Sequence, residues 1–240
     1  MSLKSEILKE LDAHRGEYLS GESLSNSLGV TRQAVWKAIK KLTQEGYLID
    51  SVTNRGYMLD GKCDLLSSAI IADRTGASVY CFDEVCSTNT AAMQKLCLGE
   101  ECIVVANRQT MGRTKNGDSF ISPEQKGVYM SVAIKCSIPL DRTDFILTEC
   151  TKKIAGILCD CCGNMPEIRN GNELFINGKK ACGILIDGEV NLSAKILKSI
   201  IIGVGVYTAH VAPELGYITA LEPRNKLICD IYSAVKEIIK

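Results

Sequence analysis

Histidine is almost missing from this chain. His14 and His210 are the only two in 240 residues, which argues against a Ser–His–Asp hydrolase, whose general base is an imidazole. Long apolar runs are missing too, since stretches such as Ile200–Tyr207 fall far short of the roughly 20 residues that cross a bilayer. Instead of a leader-like apolar core, the N-terminus has amphipathic helical spacing at Leu3, Ile7, Leu8 and Leu11. A cytoplasmic protein with no membrane partner is expected. Net charge is also absent, with 28 basic and 28 acidic residues. Bulk electrostatics therefore cannot coat nucleic acid, and any such contact must come from a local patch. No repeat or low-complexity tract is present, and no cysteine precedes Cys63.

From Cys63 onward there are twelve cysteines, which in an unexported chain read as reduced core residues. Cys159, Cys161 and Cys162 cluster without a second spaced pair, so they read as a cysteine-rich helix end and no metal site is assigned.

Within residues 16–59 the pattern is a short helix, a tight turn, a basic helix and a hairpin. Ser20 or Ser23 opens a helix with Leu24 and Leu28 on one face, Gly29 supplies the turn, and Thr31 caps the next helix. Val35, Ile39 and Leu42 form the buried stripe of that helix, leaving Arg32, Gln33, Lys37 and Lys40 pointing outward. Two strands, Tyr47–Val52 and Gly56–Leu59, joined by Thr53, Asn54 and Arg55, form a wing with Arg55 at its tip. From Thr31 to Arg55 five basic residues face Glu45 and Asp50, a net of +3. A winged helix-turn-helix whose DNA contacts are Thr31, Arg32, Gln33, Lys37, Lys40 and Arg55 is the expectation, with a duplex operator as partner.

The domains expected are 1–62 and 63–240. In the second, strands are read at Val79–Asp83, Cys102–Asn107, Gly127–Ile134, Leu174–Ile176, Ala181–Asp187 and Ser199–Tyr207, and helices at Thr88–Cys97, Leu147–Cys159 and Asn225–Ile239. The fold class is α+β, with a mixed sheet and helices packed on one side. Ser87, Thr88 and Asn89 fall at a strand-to-helix junction suited to a polar ring, although Ser87 also fits a plain helix cap. Gln109, Gly112 and Arg113 fit the same pocket. Gly183, Gly203 and Gly205 leave strand positions without side chains, giving room for a ligand or marking bulges. Asp187 and Glu189 read as solvated turn charges.

The segments Thr31-Arg-Gln-Ala-Val-Trp-Lys37, Gly56-Tyr-Met-Leu59, Cys86-Ser-Thr-Asn89, Gln109-Thr-Met-Gly-Arg113, Ile121-Ser-Pro123, Lys180-Ala-Cys-Gly-Ile-Leu185 and Gly203-Val-Gly205 follow one another in order. Together they resemble the bacterial bifunctional biotin protein ligase and biotin operon repressor family over nearly the whole chain. The resemblance implies an operator-binding winged helix and a domain that makes biotinyl-adenylate from biotin and ATP, then biotinylates a lysine of a carboxylase carrier protein. It also implies a homodimer.

Departures from the family pattern alter the expectation. The adenylate loop reads Gly112-Arg-Thr-Lys-Asn-Gly-Asp118, with fewer cations and an opposing Asp118, so affinity for ATP and Mg²⁺ is expected to be weakened. The family's Lys-Trp-Pro-Asn-Asp aligns with Arg169-Asn-Gly-Asn-Glu173, which puts Arg169 at the ligand-binding lysine and Glu173 at the aspartate, while Tyr207 stands at an asparagine position. The chain ends in a helix at Lys240, without the family's small C-terminal barrel. These features predict a repressor that senses biotin or a related small-molecule effector in a ligase-like domain with no intact catalytic set, Arg169, Glu173 and Tyr207 being the degenerate positions. An active biotin protein ligase, and a structural adaptor without ligand, are the alternatives.

Overall fold

The computed structural model describes residues 2–219 and 223–239, so Lys240, the expected end of the last helix, lies outside the described residues. The chain divides into two compact units, residues 1–74 and 75–240. The first holds α1 (Leu3–Ala13), α2 (Gly21–Ser27), α3 (Arg32–Gln44), the hairpin β1 (Ile49–Val52) and β2 (Gly56–Leu59), and α4 (Ser68–Thr75) at its end. The helix starts follow from hydroxyl caps: Ser20 Oγ accepts the Ser23 N–H at 2.9 Å and Thr31 Oγ1 accepts the Ala34 N–H at 3.2 Å. Glycine is obligatory at position 56, where φ is +109° and a Cβ would lie 2.0 Å from the Leu19 carbonyl oxygen. That close approach lets Leu19 and Tyr57 exchange backbone hydrogen bonds of 2.9 Å.

The core of this unit joins Ile7, Leu11, Leu24, Val35, Ile39, Leu42 and Leu59 with Cys63 and Ile70. Those last two carry the compact unit through to Arg74, beyond the composition-based boundary at 62/63. Asp12, itself buried, accepts ion pairs from Arg15 at 2.6 Å and Arg74 at 2.5 Å and so ties α4 to α1.

The second unit contains β3 (Val79–Val85), α5 (Thr88–Cys97), β4 (Cys102–Gln109), β5 (Gly127–Pro139), α6 (Thr143–Cys162), β6 (Glu167–Arg169), β7 (Glu173–Ile176), β8 (Lys179–Asn191), β9 (Ile196–Tyr207) and α7 (Arg224–Ile239). Its seven strands run in the order β3-β4-β5-β9-β8-β7-β6. β3 and β4 are parallel, joined through α5, and every other neighbouring pair is antiparallel. The expected α+β fold with a mixed sheet is what forms. Its centre is covered on both faces: Ala133 packs with Ala92 and Leu96 of α5, while Met130 and Val132, pointing the opposite way, are also fully buried. Sequence spacing missed α4 and β6, which are short. No helix among the described residues is long and apolar enough to cross a membrane.

Candidate functional site

In the first unit the DNA-contact residues named from sequence stand together on α3 and the wing. Thr31, Arg32, Gln33, Lys37 and Lys40 are all exposed, whereas Val35, Ala38, Ile39 and Leu42 fill the core. Arg32 pairs with Glu22 of α2 at 2.6 Å in an exposed bridge, of little energetic weight. Arg55 lies with its guanidinium 4.3 Å from the Tyr18 ring, and the Tyr18 hydroxyl donates to Asp50. The wing cation is thereby held against the body of the unit.

The second unit encloses a cavity over the sheet, lined by Ser87, Thr88 and Asn89 at the start of α5, Gln109 at the end of β4, Arg113–Lys115 and Phe120 of the following loop, and Asn172, Lys180, Gly183, Gly203 and Gly205. A polar network builds its wall. Gln109 Oε1 accepts the Thr88 N–H at 2.8 Å while its Nε2 donates to Ser122 Oγ at 2.9 Å. The Ser131 hydroxyl sits 2.7 Å from Thr88 Oγ1 and 2.6 Å from Asn89 Oδ1. Asn89 Nδ2 then donates to Asp187 at 2.7 Å, and Asp187 pairs with Arg113 at 2.8 Å. Thr88 and Asn89 are therefore committed to the protein. Ser87 is different: it occupies the N-cap position of α5 and lines the cavity, yet makes no side-chain cap bond. The Thr114 hydroxyl is buried and, among the described residues, likewise has no partner, a state that favours a ligand donor or acceptor.

The glycines leave room, but chiefly for the protein's own side chains. A Cβ on Gly203 would lie 2.2 Å from Asn89 Oδ1, and one on Gly205 would lie 2.4 Å from the Phe120 ring. Gly112 does not line the cavity; its missing side chain lets the Phe120 carbonyl come within 2.5 Å of where a Cβ would stand, which closes the loop. The remaining space is about 40 Å³, room for a few waters at most and far below the roughly 300 Å³ of ordinary ligand pockets.

Further assignments change in the folded chain. Arg169, aligned with the ligand-binding lysine, is on the edge strand β6, where it grips Glu167 through two bonds of 2.8 and 2.7 Å and lies 4.3 Å over Phe175, outside the cavity lining. Lys180, held by Glu173 and only 19% exposed, lines the cavity instead, beside Arg113 and Lys115. Burial pushes the Glu173 carboxyl up, but hydrogen bonds from Lys180 and Asn170 outweigh it and leave the group below its ordinary range. Tyr207 is not at the cavity: its ring stacks on Phe120 at 5.1 Å and its hydroxyl donates to the Ile121 carbonyl at 2.9 Å, which fastens the end of the loop after β4. Asp187 and Glu189 are strand residues of β8. The first is Arg113's partner, and the second forms an exposed pair with Lys198 at 3.3 Å.

The signal for Lys180 was a lysine opening the apolar strand Ala181–Leu185, and that for Ser131 was one hydroxyl in an otherwise apolar strand. None of the twelve cysteines is joined in a disulfide. Among the described residues no group of three or more His, Cys, Asp or Glu is placed to hold a metal ion.

A helix-turn-helix unit joined to a mixed-sheet unit with a polar, cation-flanked cavity defines a class of two-part protein, one part shaped for nucleic acid and the other for a small molecule. Residues 4–58 match an HTH domain, and residues 82–206, just over half of the chain, match the biotin/lipoate A/B protein ligase family. The chain belongs to that family. It is 31% identical over 212 residues to the bifunctional ligase/repressor BirA of Bacillus subtilis, covering 85% of this chain and 65% of that protein. With BirA of Escherichia coli it shares 28% over 210 residues, covering 81% and 60%. It thus spans somewhat under two thirds of the length of these relatives. In fold it resembles the Helicobacter pylori biotin acetyl coenzyme A carboxylase synthetase with bound biotinylated ATP (TM-score 0.53, 18% identity, 66% of this chain and 73% of that one). The Leishmania major biotin protein ligase in complex with biotinyl-5-AMP is equally similar (TM-score 0.53, 21% identity, 67% and 74%).

Proposed function

We propose that this protein is a cytoplasmic, DNA-binding transcriptional repressor that senses biotin, or a closely related small molecule, in the second unit. The observation that carries the reading is the cavity that Ser87, without a side-chain cap bond, lines together with Arg113 and Lys180, in a chain whose other unit is a helix-turn-helix. The hydroxyl suits the ureido group of biotin, and the two cations suit its carboxylate or an adenylate phosphate. Repression by a homodimer on a two-part operator follows, because one winged helix contacts few base pairs and pairing two raises avidity. Calorimetry with biotin tests the sensor: binding is expected, with Ser87→Ala weakening it by about 1–3 kcal/mol through a lost hydrogen bond. No heat with biotin, or identical affinity for Ser87→Ala, refutes it. On the DNA side, Arg32→Ala or Lys37→Ala is expected to reduce the salt slope of duplex binding by about one.

Lys180 favours a second reading, activation of biotin with transfer to a carrier protein. In that chemistry the biotin carboxylate attacks the α-phosphorus of ATP and pyrophosphate leaves. In this reading Lys180 and Arg113 stabilise the added negative charge. The expected loss of catalysis leaned on the cation-poor loop, Arg169, Tyr207 and the missing barrel together, and of these Arg169 and Tyr207 do not line the cavity. Biotin-dependent exchange of labelled pyrophosphate into ATP supports this reading, and its absence in a protein that binds biotin supports the sensor alone.

A further inference from the structure

Trp36 has no part in the core of the first unit. It is 51% exposed on α3, one turn after Arg32 and one turn before Lys40, on the side opposite the buried Val35, Ala38 and Leu42. A single exposed aromatic is ordinary, but this one lies in a groove between α3 and the wing. Its walls are Arg32, Lys40 and Thr43 on one side and Ser51, Thr53, Asn54 and Arg55 on the other. The Lys40 ammonium stands 5.4 Å from the indole centroid. Three cations and several hydroxyl and amide donors thus flank an apolar ring, with Glu22 the one acid in the lining.

We infer that this groove seats one sugar–phosphate strand of duplex DNA, with the Trp36 indole packed on deoxyribose and Lys40 on the adjoining phosphate. The inference rests on the DNA-binding reading above and adds the placement of a strand between helix and wing. The charge pattern selects the occupant: a polyanion satisfies Arg32, Lys40 and Arg55 together, and its sugars supply the apolar surface that the ring needs. Contact through a sugar carries no base identity, so Trp36 contributes affinity evenly across sequences. It neutralises no phosphate and leaves the salt slope untouched, unlike Lys40.

Trp36 is the single tryptophan of the chain, so its emission reports this groove and nothing else. Anisotropy of a fluorescein-labelled duplex, enriched from random sequence by selection on the full chain, measures binding independently. The expected result is quenching or a shift of the indole emission in step with the anisotropy. Trp36→Ala is expected to bind roughly tenfold more weakly at an unchanged salt slope, since a well-packed aromatic anchor is worth at least that. Trp36→Phe should recover part of the loss, and Lys40→Ala should lower the slope by about one. Because Trp36 is exposed, these variants should melt like wild type. A duplex that binds by anisotropy while the emission stays constant, or wild-type affinity in Trp36→Ala, overturns the inference and leaves DNA binding standing. No anisotropy change at any salt removes the DNA reading and the inference together.

Discussion

Replacing Gly203 by alanine tests whether the strand glycines of the cavity are spaces for the protein's own network. The new methyl carbon would stand 2.2 Å from Asn89 Oδ1 and 2.9 Å from its Cγ, well inside contact distance, so the amide must move. Its freedom to do so is small: Asn89 is 5% exposed, its Oδ1 is held at 2.6 Å by Ser131 and its Nδ2 is held at 2.7 Å by Asp187. Overpacking a core site of this kind costs about 1–3 kcal/mol, and loss of one buried hydrogen bond costs a similar amount. A total of about 3 kcal/mol is expected. For a unit of this size each kcal/mol moves Tm by about 2–4 °C, so the melting transition of the second unit should fall by roughly 6–12 °C. Scanning calorimetry measures it, with Gly156→Ala as a control of opposite sign. Gly156 sits inside α6 with open space where its Cβ would be, so alanine there should stabilise by about 0.5–1 kcal/mol. In an Asn89→Ala background the Gly203 penalty should largely vanish, as expected for groups in direct contact. Gly203→Ala melting at or above the wild-type temperature refutes the reasoning, as does a penalty that persists without Asn89.

If Lys180 is the cavity cation, Lys180→Met should weaken biotin binding by tenfold or more, a loss of at least about 1.4 kcal/mol, while Arg169→Ala leaves it within about twofold. Calorimetry showing the reverse order would restore Arg169 to the site. The Glu173–Lys180 pair also makes a pH prediction. Because the folded carboxyl lies below its ordinary range, its contribution is present above the unfolded pKa and is lost as pH falls through the folded value. Wild type should exceed Glu173→Gln in denaturant midpoint at neutral pH, with the gap closing in acid, and a gap that widens in acid contradicts the pairing. Cysteine reactivity should divide by environment: Cys86 and Cys97 are exposed, while burial pushes Cys81 and Cys150 up to about 12. An aromatic disulfide reagent at pH 8 should label the first two rapidly in native protein and the second two only after unfolding.

The winged unit was legible in the sequence because its determinants are local. A hydroxyl cap bonds an amide three residues on, an apolar stripe repeats with the helical period, and Gly29 and Gly56 have positive φ values that follow from their turns. The long strands were legible for the same reason, although their ends ran further than the alternation suggested, as in β5 and β8. The cavity's order of parts was not local. Arg169 and Lys180 are eleven positions apart in one three-stranded meander, and β6 lying at the edge of the sheet sends the arginine to Glu167 and Phe175 while β8, further in, carries the lysine to the cavity. Asp187 looked like a solvated charge until the loop after β4 folded back and laid Arg113 against it. The chain by itself determined two units, their fold class and about half of the residues around the cavity. Tertiary structure alone decided which cation faces that cavity, which hydroxyls remain unspent and which glycines are filled, because these depend on contacts between segments that sequence separates by tens of residues.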